Sequence, residues 1–258
     1  MIIRRSDEEI SIIRRSDEEI SKIRSAGKIV ALTLEKLKKY AKAGTTTKEL
    51  EEIASDEILM HGGQAAFKNY KGYPANICTS LNEVVVHGIP SDRSLKEGDI
   101  LSIDVGVKVK NFYADAAITI GIGRISDTAK TLMKVTEEAL YRGIENARPG
   151  KKLSDISASI QTFVESNGFS VVRAFVGHGI GEKIHEEPEI PNFGAPDKGP
   201  SLEPGVILAI EPMVNAGTFE VEILEDGWTA VTKDRTLSAH FEHTIAVREN
   251  GPEILTAA

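Results

Sequence analysis

"LKEGDILSIDVG" (residues 95–106) and "LEPGVILAIEPM" (residues 202–213) are one pattern written twice. Both read L-x-x-G-x-I-L-x-I followed by an acid, at an offset of 107, so Asp104 and Glu211 close the same strand motif. The helical grammar upstream repeats as well. "AKAGTTTKELEEIASDEILMHGG" (41–63) carries a stop at Gly44, Thr46 as N-cap with Glu49 three residues on, and a break at Gly62. A predicted helix at about 127–146 runs into "ARPGKKLSDISASIQTFVESNG" (147–168), where Gly150 matches Gly44 and Gly168 matches Gly62 at an offset of 106. A third echo is H-x-x-P, read in "HGIP" (87–90) and "HEEP" (185–188). The pattern predicts an α+β fold of two duplicated halves, helix–helix–strands twice over, with curved antiparallel sheets covered by helices. Pseudo-symmetric halves bring equivalent residues face to face, so Asp104 and Glu211 are expected to meet at the junction.

The chain has 258 residues, 41% apolar and 27% charged, enough for one large globular domain or two small ones; the duplicated pattern is read as a single domain over 1–258. A formal charge of −8 disfavours nucleic acid or an anionic membrane as partner, since both attract a basic face. Apolar runs are strand-sized, far shorter than a membrane span. The charged N-terminus has no apolar core of a signal peptide, and the single Cys78 excludes an internal disulfide, so a cytoplasmic address is expected. Residues 2–11, "IIRRSDEEIS", recur unchanged as 12–21. Only the second copy leads into an amphipathic pattern, with Ser16 and Glu19 in capping-box spacing ahead of Ile20, Ile23, Ile29, Val30, Leu34 and Leu37, and the first copy is expected to be dispensable.

"SIDVGVKVKNFYAD" (102–115) places two acids in a predicted hairpin. A register centred between Val109 and Lys110 would set Asp104 directly opposite Asp115 on one face. Two bare carboxylates there repel, and a dication relieves the repulsion; two solvated strand acids are the plainer alternative. Further candidates are His178 and His185 in "AFVGHGIGEKIHEEPEIP" (174–191), Glu211 in "LAIEPMV", and Glu242 in "SAHFEHTIAV" (238–247). A histidine among glycines is commonly a packed turn residue, yet two Asp, two Glu and one His converge at the predicted junction. That oxygen-rich set suits a pair of Mn²⁺, Fe²⁺ or Co²⁺ ions better than a thiolate zinc site. Neither an HExxH, a P-loop nor a dinucleotide fingerprint occurs, and Cys78 reads as a buried thiol.

Asp104, Asp115, His178, Glu211 and Glu242, with "NEVVVHGIP", "GHGIGEKIHEEP", "AIEP" and "DGWTAVTKDRTLSAHFEHTI", closely resemble the type I methionine aminopeptidases of the pita-bread (creatinase/aminopeptidase) fold, from about residue 17 onward. The resemblance implies a cytosolic metallopeptidase that removes the initiator methionine of nascent polypeptides when the second residue is small. Two divalent ions (Mn, Fe or Co, with Zn compatible) would be held with Asp104 and Glu242 bridging or chelating both, Asp115 on one, and His178 and Glu211 on the other. It further implies Glu211 as proton acceptor, His185 on the scissile carbonyl and His87 at the peptide nitrogen. Phe67, Tyr70, Tyr73, Cys78, Ile184 and Trp228 would line the methionine pocket. The chain departs from the familiar bacterial pattern at Phe67, Val86 and Ile184, which bears on pocket shape. X-Pro peptidases share the fold but usually carry an added N-terminal domain; relatives without the ligands act as binding proteins. A monomer is expected. A transient ribosome encounter is compatible with this class, although no zinc-ribbon cluster or basic tail is present.

Overall fold

A computed structural model describes residues 12–257, so the first copy of the repeated decapeptide lies outside the described residues. Helix α1 (Asp17–Tyr40) begins where the second copy places Ser16 as N-cap: Glu19 N–H donates to the Ser16 hydroxyl, and Ser16 N–H donates to the Glu19 carboxylate. Its stripe of Ile20, Ile23, Val30, Leu34 and Leu37 is buried. Truncating one such side chain to alanine costs about 2–5 kcal/mol. Helix α2 (Thr47–Met60) carries the same device at Thr46 and Glu49.

There follow β1 (Gln64–Ala65), a short 3₁₀ turn (Tyr70–Gly72), β2 (Cys78–Leu81), β3 (Val84–Val86), β4 (Ile100–Val109) and β5 (Phe112–Gly121). The second half opens with α3 (Asp127–Asn146) and α4 (Leu153–Ser166). Its strands are β6 (Ser170–Val171), β7 (Gly177–Gly179), β8 (Glu186–Ile190), β9 (Ile207–Ile210), β10 (Met213–Asn215), β11 (Val221–Ile223), β12 (Ala230–Thr232), β13 (Ser238–His240), β14 (Glu242–Arg248) and β15 (Gly251–Ile254).

One nine-stranded antiparallel sheet runs β1-β4-β5-β14-β9-β7-β8, with β2 on β4 and β15 on β14. The duplicated strands β4 and β9 therefore stand symmetrically about the β5–β14 seam. Gly98 and Gly205, at the same place in the repeated motif, turn with φ of +96° and +95°. Two main cores lie under the helices: α1 packs on β4 and β5 with α2 against it, burying Leu37, Leu50, Ile58, Leu101 and Ile103, and α3 packs on β9, β13 and β14 with α4 against it, burying Leu132, Leu140, Ile156, Leu208 and Ile245.

The expected hairpin register is corrected. Asp104 pairs with Ala117 and Asp115 with Gly106, so the two acids are diagonal neighbours rather than directly opposed. The cause is the turn: Lys110 (φ +48°) and Asn111 (φ +66°) form a two-residue link between Val109 and Phe112, the twist-matched connection in which both central residues have positive φ. A slip of two residues preserves strand parity, and both acids still project from one face.

Candidate active site

Two neighbouring rows of the large sheet build the site. In one, Asp104 faces Ala117 across β4–β5, and Ala117 faces Glu242 across β5–β14. In the other, His178 faces Ala209, and Ala209 faces Thr244. The Thr244 hydroxyl accepts the Asp115 backbone N–H at 3.0 Å and lies 3.0 Å from Asp115 Oδ1. Small residues separate the functional ones along both rows, and so the sheet surface hollows where the acids gather. Glu211 follows directly on β9, and His178 Nε2 lies 3.5 Å from both Glu211 Oε1 and Asp115 Oδ2. The five residues that the sequence singled out thus converge on one cavity of about 880 Å³.

Four carboxylates crowd this site, and among the described residues none is paired with a lysine or arginine. Burial, then mutual repulsion, raises Asp104, Glu211 and Glu242 well above the usual carboxylate range; burial lifts Asp115 to about 6. Burial drives His178 the other way, to about 4. Its Nδ1 sits 3.0 Å from the Gly179 carbonyl, which can only accept, so Nδ1 holds the proton and Nε2 turns a lone pair toward the carboxylates. No hydrogen bond joins Nε2 to either acid across 3.5 Å, and Asp104 Oδ1 is buried without a partner. Such a set calls for cations. Ligand atoms of Asp115, His178 and Glu242 lie within 4.8 Å of one another, and oxygen donors with one imidazole suit divalent first-row metals.

Beside the acids the wall turns apolar and aromatic, with Phe67, Tyr70, Tyr73, Cys78 and Trp228 lining the cavity. Tyr73 meets Trp228 edge to face at 5.2 Å, and His87, held at φ +61°, meets Phe175 in the same way at 5.4 Å. His185 projects into the cavity with its ring 4.3 Å from that of His178. Ile184 differs: it is buried behind the wall with Phe67 and Cys78 in the first core rather than lining the cavity, because in this turn its neighbour His185 takes the cavity side.

The sequence reading passed over His240, which lines the cavity with Nε2 buried, unbonded and 3.5 Å from Glu211 Oε2. Burial lowers it to about 3. The signal was present: Ser238, His240 and Glu242 alternate, which places His240 on the face of a candidate ligand. Phe175 and Met213 complete that side of the wall.

Residues 21–249 match metallopeptidase family M24. The chain is 55% identical to methionine aminopeptidase 1 of Bacillus subtilis over 231 residues, 90% of this chain and 93% of that one. It is 54% identical to a methionine aminopeptidase of Clostridium perfringens, covering 99% of each. Among solved structures it superposes on the methionine aminopeptidase of Thermotoga maritima with a TM-score of 0.95 at 45% identity, over 96% of this chain and 100% of that one. The prolidase of Pyrococcus furiosus matches at a TM-score of 0.79 and 21% identity, over 95% of this chain and 66% of that one, which is a likeness of fold. A family match spanning both halves, on a fold whose seam gathers four acids and a histidine, identifies the chain as a member of metallopeptidase family M24.

Proposed function

We propose that this chain is a metalloaminopeptidase that hydrolyses the first peptide bond of new proteins beginning with methionine and a small second residue. The observation that carries it is the junction of two chemistries in one cavity: unpaired buried carboxylates with His178 on one side, and the apolar wall of Phe67, Tyr73, Cys78 and Trp228 on the other. An unbranched thioether side chain fits such a wall. Relatives more than 50% identical over nearly the whole chain carry the name methionine aminopeptidase, which supports the same reading.

Asp104, Asp115, His178, Glu211 and Glu242 would hold two divalent ions, Mn²⁺, Fe²⁺, Co²⁺ or Zn²⁺. When bound, the ions supply Lewis acidity and make water acidic at neutral pH. Glu211 accepts the proton that the attacking water gives up and returns it toward the leaving amine. His185 donates from Nε2 to the scissile carbonyl oxygen as negative charge grows there. His87 contacts the peptide nitrogen as the C–N bond breaks, releasing methionine and the shortened chain. Nascent N-termini are the substrate, and the acting species is read as a monomer in the cytoplasm.

The test is methionine release by metal-stripped protein reconstituted with each ion in turn, on Met-Gly, Met-Leu and Ala-Pro peptides of equal length. Turnover confined to Met-Gly supports the reading. Cleavage of Ala-Pro instead moves the chain to proline peptidase activity on the same fold, and stoichiometric metal with no cleavage removes the enzyme reading.

A further inference from the structure

The Tyr70 hydroxyl lies 2.8 Å from His185 Nδ1, and the two rings are 5.1 Å apart and tilted by 38°. Both partners stand on closed turns. Tyr70 opens a 3₁₀ turn and is flanked by Asn69 (φ +69°) and Lys71 (φ +49°), with Asn69 N–H bonded to the Tyr73 carbonyl and Tyr73 N–H to that of Tyr70. A side chain presented from left-handed backbone at both neighbours has little freedom to wander. His185 sits in the 181–186 turn, closed by Gly181 N–H to the Lys183 carbonyl and Lys183 N–H to the Glu186 carboxylate, which Arg15 grips in turn. The contact joins two fixed supports.

A neutral imidazole donates from one nitrogen and accepts at the other. A phenol is a far stronger donor than acceptor, and an sp² imidazole nitrogen is the better base of the pair. The Tyr70 O–H therefore donates to Nδ1, and the ring proton resides on Nε2. His178, whose ring lies 4.3 Å away, has the opposite assignment, because the Gly179 carbonyl claims its Nδ1 proton. Two adjacent histidines are thereby sorted into a lone-pair donor and a hydrogen-bond donor by what touches their Nδ1 atoms.

We infer that Tyr70 is a positioning residue as well as part of the cavity wall: its hydroxyl fixes His185 in the tautomer that presents Nε2–H to the oxygen where negative charge develops. The inference rests on the role given to His185 above. The Tyr70→Phe variant keeps the ring and removes the hydroxyl. Its kcat on a Met-Gly peptide is expected to fall about ten- to a hundredfold, the range for losing a residue that orients a functional histidine. KM and bound metal stay within about twofold, because the wall is intact. ¹⁵N spectra of histidine-labelled, zinc-loaded native protein are expected to show His185 protonated on Nε2 alone, and the variant a mixture of both tautomers. Tyr70→Phe is expected to add nothing to His185→Ala. A native His185 protonated on Nδ1, an unchanged kcat in Tyr70→Phe, or full additivity with His185→Ala would each overturn the inference. Native-like turnover by His185→Ala removes the role of His185 itself, and the spectra then still report separately whether Tyr70 sets the tautomer.

Discussion

Arg15 holds Glu186 with one terminal nitrogen 2.8 Å from each carboxylate oxygen, and both side chains are buried. Glu19 and Glu182 touch the same guanidinium from the helix and the turn, and Arg15 N–H donates to the Gly205 carbonyl. The segment before α1 is thus tied to the turn that presents His185. Arg15→Ala leaves Glu186 buried without its cation and is expected to lower stability by about 3 kcal/mol, seen as a Tm roughly 6–12 °C lower by calorimetry. Arg15→Lys recovers only part, since a lysine has one nitrogen and cannot hold Glu186 while also reaching Glu19 and Glu182, which the second guanidinium nitrogen contacts. An unchanged Tm in Arg15→Ala would show that the turn is held by its backbone bonds.

Glu211→Gln separates fold from chemistry. The change puts a neutral isostere where burial and neighbouring acids already disfavour an ionised carboxyl, so the metal-free protein is expected to melt at the same temperature or higher. Turnover is expected to fall by about a hundredfold or more, as for losing a general base, while at least one metal ion stays bound. Native turnover with metal content retained would move the proton-accepting role to another residue.

Metal uptake should release protons. Asp104, Glu211 and Glu242 have raised pKa values, and Asp115 stands near 6, so the metal-free protein keeps protons there that an incoming dication must displace. Affinity for Mn²⁺ or Zn²⁺ is expected to climb between pH 6 and 8, with proton release visible as a buffer-dependent heat in titration calorimetry. The stability sign follows from the same groups. A carboxylate raised on folding adds stability below its unfolded pKa and loses it as pH rises through the folded value. Unfolded histidine, half protonated at about pH 6.5, gives a smaller opposite trend that is spent by about pH 7.5. The Tm of the metal-free protein should therefore fall from pH 6.5 to 8, and its gap to the loaded protein should widen. A gap independent of pH would mean the acids are already ionised without metal.

Gly106 leaves room behind the Phe67 ring, which lines the cavity. A methyl added at residue 106 would meet the Phe67 ring at 2.5 Å, so the ring must move. Gly106→Ala is expected to raise KM for Met-Gly peptides about three- to tenfold with kcat little changed, the loss of about one kcal/mol of uniform binding. Adding Phe67→Leu should restore much of it. An unchanged KM in Gly106→Ala would place the methionine side chain away from this wall.

The duplication, the helix caps and the five candidate ligands were legible because each is written in local chemistry: glycines at sharp turns, serine or threonine three residues before glutamate, and an acid closing a repeated apolar strand. The hairpin register was not, since it depends on a lysine, Lys110, accepting a left-handed conformation that its residue type does not advertise. Ile184 and His185 show a second limit. Side by side in a turn without strand periodicity, one faces the core and the other the cavity, and only packing decides which. His240 was missed for the opposite reason, as the alternation that reveals it continues past the end of β13 into β14.

The seam between β5 and β14 pairs only Glu242 with Ala117 and His243 with Ala116. Severed there, each half would present the flank of a long central strand with its N–H and C=O groups bare, a template for pairing with any similar flank. In this fold each flank is closed by the other, running antiparallel. Their pairing removes an aggregation hazard and brings acids from both sides within reach of one another. In this architecture the place where folding most needs closure and the place where catalysis is proposed are the same few residues, so a change that loosens the joint should be felt as lost metal before it is felt as lost fold.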